Sequence, residues 1–194
     1  MPTVIVVLAA VVVIAVVWAI AAFNGLVRLR NLVQEAWRQI DVELTRRHDL
    51  IPNLLETVKG YAAHEREVFD EVSRARAAAT AGQVSPAAQA KQEQALSQSL
   101  GRLFAVAENY PVLRASENFQ QLSTELASTE DRIAAGRRFY NANVRTLNTK
   151  VETFPASIVA SMFGFARVEY FETDDAAVRA APIVDFGTGS QPHD

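Results

Sequence analysis

His48 and His64 are the side chains best suited to hold a metal, and each stands beside carboxylates: Asp49 after the first, Glu65 and Glu67 after the second. The pair His64-Glu65 opens like the helix of a zinc protease, which needs a second histidine four residues on so that both imidazoles share one face. That position is Val68. A two-histidine site would have to bring His48 and His64 together across a turn beside Glu65 or Glu67. The third histidine is His193, near the end of the chain, and no metal site is expected. With no cysteine, a disulfide, a thiolate nucleophile and a sulfur-ligated metal are excluded. Serines are plentiful but none sits on a strand-turn-helix elbow, and no glycine-rich segment follows a strand pattern. Gly187-Thr188-Gly189 has neither a strand before it nor a helix after it, so it reads as linker. The expectation is a protein without catalytic residues or cofactor.

Polar residues do concentrate in two places: Arg46, Arg47, His48, Asp49 and Asn53, then Glu130, Arg137, Arg138, Tyr140 and Asn141. A binding surface is one reading, with Arg46, Arg47, Glu130 and Arg138 as its contributors. The other, favoured here, is a set of interhelical ion pairs and hydrogen bonds that fix helix register, because Arg137 falls on an apolar stripe.

The elements that would carry these residues are helices. Leu29, Val33, Trp37, Ile40 and Leu44 recur every three or four positions, as one buried helical face requires. Pro52 interrupts, either as a turn over His48 to Ile51 capped by Asp49 or as a kink in one helix. A second stripe holds Leu55, Val58, Ala62, Phe69, Val72 and Arg76. Residues 81–86 form the clearest loop, with Ser85 placed to cap and Pro86 to begin a helix carrying Ala95, Leu96, Leu100, Leu103 and Val106. Tyr110-Pro111 breaks that helix. The longest stripe runs from Phe119 through Leu126, Ile133, Arg137, Tyr140, Val144 and Leu147 to Phe154, where Pro155 closes it.

Val4 to Phe23 is an unbroken run without charge, Gly or Pro, and a hydrocarbon layer about 30 Å thick needs roughly 20 such residues in a helix. An uncleaved anchor fits better than a signal peptide, since no basic residue precedes the run, although Ala19-Ile20-Ala21 would suit a peptidase. Arg28, Arg30, Arg38, Arg46 and Arg47 follow the span, which predicts a cytoplasmic body. The expected fold is all-α: a stub at 1–3, a transmembrane helix at 4–23 continuous with an antiparallel four-helix up-and-down bundle to residue 171, and a disordered tail at 172–194. If Pro52 and Pro111 are both turns, or both kinks, Phe154 returns to the membrane end, and only a mixed case leaves it distant. Phe154 to Phe165 is apolar but too short to span, so Ile158, Met162, Phe163 and Phe165 are candidate lipid contacts; a satellite cluster capping the bundle is the alternative. The 19 basic and 22 acidic residues are mixed along the chain, which offers no nucleic-acid surface.

Long motifs carry a family resemblance: residues 31–44 (NLVQEAWRQIDVEL), 46–54 (RRHDLIPNL), 56–62 (ETVKGYA), Ala107-Glu108-Asn109-Tyr110-Pro111, Glu117-Asn118-Phe119, Thr129 to Ala134, Arg137 to Asn141, and Gly164-Phe165 to Tyr170-Phe171. In these the chain resembles the LemA family of bacterial membrane proteins from the span to Glu172, with Val112 departing from an Asp often found there. The resemblance implies an N-terminal anchor on a cytoplasmic four-helix domain and brings no catalytic residues. It also suggests membrane-associated roles, among them coding beside a heat-shock membrane metalloprotease in some bacteria and, for one magnetosome relative, a part in building an organelle membrane. The function expected is a non-enzymatic scaffold docking a membrane partner or a second copy of itself, the alternative being a protein that organises lipid through residues 154–165.

Overall fold

A computed structural model describes residues 1–82 and 84–172. The described residues are helical and contain no strand: α1 (Pro2–Lys59), α2 (Arg66–Ala79), α3 (Pro86–Ala107), α4 (Pro111–Ala115), α5 (Glu117–Glu152) and α6 (Ala156–Met162). Residues 173–194, with most of the expected tail, lie outside the described residues. α1 begins at Pro2, so the helix starts ahead of the apolar run.

The 58 residues of α1 make a rod about 87 Å long at 1.5 Å per residue. The large apolar side chains from Val4 to Ile20 are exposed, and nothing among the described residues covers them. That segment is long and apolar enough to cross a bilayer. From Ala22 onward α1 buries one face against α5, which runs antiparallel to it. Lys150 lies over Gly25, Gly136 faces Ile40, Arg132 faces Glu43 and Glu130 faces Arg47. At Gly136 a methyl group would stand 3.0 Å from the Ile40 side chain, so the absence of a Cβ lets the two helices approach. Leu26, Val33, Ile40, Leu44, Ile133, Val144 and Leu147 fill this seam. Each buried Leu or Ile contributes about 1.5–3 kcal/mol.

The half of α1 farther from the apolar segment is covered by two further helices. There α2 and α3 form a shorter antiparallel pair, joined by Arg102 to Glu71 at 2.6 Å and by Gln89 to the carbonyl of Ala79. Ile51, Leu54 and Val58 of α1, Phe69 and Val72 of α2, Leu96, Leu100 and Leu103 of α3, Leu113 of α4, and Phe119 and Leu126 of α5 share one core. The result is a long two-helix arm carrying a shorter helix pair, in place of four equal passes.

The start of α3 follows its local chemistry: Ser85 accepts from the Ala88 amide at 3.4 Å and Pro86 opens the helix. Pro52 is different. It lies inside α1 and makes no turn. A proline cannot donate to the carbonyl four residues back, here that of His48, and Arg76 of α2 donates its Nε–H to that carbonyl at 2.7 Å instead. Of the two readings of Pro52, a turn or an interruption within one helix, the second applies, and the chain turns at residues 60–65, closed by the amides of Tyr61 and Ala62 on the Val58 carbonyl and pinned by buried Ala62. Pro52 and Pro111 are thus the mixed case expected to leave Phe154 distant, yet this additional turn restores the return. Arg137 also departs from expectation: it is exposed, and Gly136 takes the seam position.

After α6 the chain doubles back along α5 as an extended segment. Gly164, at φ +70°, makes that reversal, with Phe165 N–H donating to the Ala160 carbonyl at 2.9 Å. Asn148 and Asn141, one heptad apart, present their side-chain amides to the backbone of Val168 and Phe171, each donating and accepting in turn at 2.9 to 3.3 Å. Tyr140 donates to the Glu169 carbonyl at 2.9 Å.

Candidate functional site

Three places combine exposure or polarity with a defined setting, and the first is α6. Its Val159 and Ala160 are buried against α1 and α5, which turns the other side outward. Phe154 is 77% exposed, Met162 73%, Phe163 57% and Ile158 54%. Phe23, the last residue of the apolar run, stacks on Phe163 with ring centroids 4.7 Å apart. This exposed apolar ledge therefore stands level with the end of the segment long enough to cross a bilayer. Ile158, Met162 and Phe163 belong to the ledge. Phe165 does not: it is half buried, edge-on to Phe23 at 5.8 Å with the Arg30 guanidinium 5.2 Å from its ring centre.

The second is the junction of α1, α2, α3 and α5. Arg47, one of the candidates for a binding surface, is 3% exposed. Its guanidinium reaches Glu93 of α3 at 3.3 Å, Ser97 at 2.6 Å and Glu130 of α5 at 3.3 Å. Glu93 is buried too, and its other oxygen accepts from His48 Nε2 at 2.9 Å and from Gln89 at 2.8 Å. The register-fixing reading thus applies to Arg47, with Glu93 and Ser97 as partners the sequence did not single out. Glu93 lies where α3 reads as ordinary polar sequence, and only its remote partners mark it.

His48 and His64 stand apart. About 16 Å of helix separates His48 from the end of α1, and exposed His64 lies in the turn beyond. Among the described residues no group of three His, Cys, Asp or Glu side chains could hold a metal. A cleft of about 660 Å³ opens beside the junction, lined by Trp37, Asp41, His48, Asp49, Arg76 and Gln89 among others. Its His48 and Arg76 are already engaged, the first with Glu93 and the second with the His48 carbonyl.

The third place is a groove of about 510 Å³ on the α1 and α5 seam, lined by Val42, Ala135, Gly136 and Phe139 with Glu43 and Arg132 at its edge. Val42 and Phe139 are exposed. Arg46 and Arg138, two of the candidate surface residues, are exposed, but neither lines this groove. Glu130 is exposed as well, but it is spent on Arg47. The sequence signal for this groove was the small pair Ala135-Gly136 inside a helix, flanked by an apolar residue that the stripe leaves unexplained.

The chain is 28% identical over 180 residues to the magnetosome protein MamQ of Magnetospirillum gryphiswaldense, covering 79% of this chain and 66% of that protein. It is 30% identical over 180 residues to magnetosome protein MamQ 2 of Paramagnetospirillum magneticum, with the same coverage. It is also 28% identical over 152 residues to protein LemA of Metamycoplasma hominis, covering 78% of this chain and 69% of the relative. The chain thus spans about two thirds of the length of these relatives. A family model matches residues 36–186, which takes in the buried junction, α5, α6 and the α1 side of the seam from Ala36 onward. The chain belongs to the LemA family.

Proposed function

We propose that this protein is a non-enzymatic scaffold anchored in a bacterial inner membrane by residues 4–23, with a cytoplasmic four-helix body made of the rest of α1 with α2, α3 and α5. The observation that carries this reading is the placement of the α6 ledge. Exposed Phe154, Ile158, Met162 and Phe163 stand beside Phe23, where an apolar surface in water would be costly and a bilayer interface would cover it. The arginines that follow the apolar segment support the orientation. The Val42 and Phe139 groove, apolar at its centre with Gln39, Glu43 and Arg132 also lining it, has the anatomy of a docking surface for a membrane protein partner or a second copy. By family resemblance, a heat-shock-type membrane metalloprotease is one such partner.

Photoreactive side chains placed at Phe163 and at Phe139 of the full chain, in its own membrane, test both halves. Lipid attached at 163 and one recurring protein, or the chain itself, attached at 139 are the expected products. Absence of lipid adducts at 163 would remove the ledge from the interface, and absence of any discrete protein adduct at 139 would remove the scaffold. A second reading, favoured by the same ledge, is a protein that organises lipid directly. Deformation of liposomes by the purified chain alone would move the assignment there.

A further inference from the structure

We propose that the membrane-facing end of the body is a binding site for anionic phospholipid headgroups, with a phosphate seat between Arg145 and Lys150. This rests on the reading that residues 4–23 cross the bilayer. The molecule is net acidic, with a formal charge of -3, yet its charges are unevenly placed. The residues around the ledge, 24–34 and 145–167, carry five basic side chains, Arg28, Arg30, Arg145, Lys150 and Arg167. The one acid among them, Glu152, is already paired with Arg167 at 3.0 Å.

The depth of these groups matches a headgroup layer. Lys150 reaches over Gly25, where its ammonium occupies the space a Cβ would take. Gly25 stands two residues past Phe23, about 3 Å along the helix. The polar zone on each side of the hydrocarbon is about 5–7 Å deep, so the ammonium lies within it. Arg145 is five residues back along α5, about 7.5 Å farther out, and its long side chain can reach toward the same zone. Between them a groove of about 500 Å³ is lined by Thr146, Thr149, Thr153 and Phe154. Thr146 and Thr153 spend their hydroxyls on the backbone carbonyls of Ala142 and Thr149, while the Thr149 hydroxyl makes no hydrogen bond among the described residues. A guanidinium fork, an ammonium and a free hydroxyl suit a phosphate, and Phe154 at the groove end suits the glycerol and upper acyl chain attached to it. A lipid phosphate is favoured over a soluble one because the groove opens beside the apolar ledge and continues into it.

The chain carries its own reporter. Trp18 lies inside the apolar segment about 7.5 Å short of Phe23, whereas Trp37 is packed on Tyr140 and Phe171 about 21 Å beyond Phe23. The full chain is placed in vesicles of phosphatidylcholine with phosphatidylglycerol, and bromine is carried on the acyl chains of one lipid or the other. Trp18 quenching then measures which lipid surrounds the anchor. The wild-type chain is expected to enrich phosphatidylglycerol about fivefold, the scale set by one basic residue in contact with an anionic surface. In Arg145→Gln with Lys150→Gln the preference is expected to fall below about twofold, while the same charge change at the far end, Arg66→Gln with Arg114→Gln, leaves it intact. Equal quenching by the two lipids in the wild-type chain, or equal loss in both double variants, overturns the proposal. Sodium chloride and sodium phosphate at matched ionic strength should weaken the wild-type preference alike; a distinctly larger loss in phosphate would assign the seat to a soluble anion and overturn the lipid assignment. Lack of quenching by either brominated lipid would overturn the spanning reading itself.

Discussion

Arg47 illustrates how little a residue's type says about its place. An arginine beside Arg46, His48 and Asp49 reads as surface, and the structure puts its guanidinium in the interior on Glu93, Ser97 and Glu130. Burying such a pair is of small net benefit, but removing one member strands the other charge in a low-dielectric interior. Arg47→Met should therefore cost about 3–5 kcal/mol of unfolding free energy. Arg47→Met combined with Glu93→Met should recover part of that loss. Denaturant unfolding of the full chain in detergent measures both, and a single-variant cost below about 1 kcal/mol would mean the pair is not buried in solution. His48 belongs to the same network, which gives this histidine a structural occupation in place of the metal ligation that its carboxylate neighbours suggest.

Between helices, the telling contact is the one made where α1 cannot complete its own ladder. Pro52 withholds the donor that the His48 carbonyl needs, and Arg76 supplies it from α2, 28 residues on. The arrangement couples the two positions. Arg76→Met should destabilise the wild-type fold by about 1–3 kcal/mol, because it leaves a carbonyl without a partner. In a Pro52→Ala background the restored backbone N–H takes over, so the same substitution should cost markedly less. A double-mutant cycle measured by chemical denaturation gives this coupling directly. Additive effects would show that Arg76 acts elsewhere. The same reasoning explains why a proline mid-helix was an ambiguous sign: its local effect is to free a carbonyl, and whether the chain turns there depends on what can reach that carbonyl.

Over the molecule as a whole, the ends of the fold are tied by the return segment. Phe171 is buried beside Trp37, and Tyr140 of α5 is buried and donates to the Glu169 carbonyl. Loss of water around the phenol, with a smaller effect from the Glu169 carboxylate, pushes the Tyr140 pKa up from 10.0 to about 12. The folded chain therefore holds this proton more tightly than the unfolded chain. The resulting stability is complete below pH 10 and falls as pH rises toward 12. Tyr140→Phe should flatten that part of the stability profile while lowering stability at neutral pH by about 1 kcal/mol for the lost hydrogen bond. Urea midpoints collected across the alkaline range would test it, and an unchanged slope in the variant would assign the alkaline loss to other groups. The tie also places α6: with residues 165–171 held along α5, the ledge is kept beside Phe23 and its exposed side chains point away from the body.

The features legible along the chain were those whose cause is local. Val4 to Phe23 needs no partner to form a helix long enough for a bilayer, and Ser85-Pro86, Tyr110-Pro111 and Phe154-Pro155 interrupt helices through their own backbone chemistry. The spacing of three and four likewise located Val33, Ile40, Leu44, Ile133, Val144 and Leu147 of the seam. Other features depended on groups distant in sequence: Arg47 on Glu93, the carbonyl freed by Pro52 on Arg76, and the return of the chain from α6 on Asn141 and Asn148. Each of these is a polar group whose burial is tolerable only with a partner, and partners tens of residues apart meet only when the helices have packed.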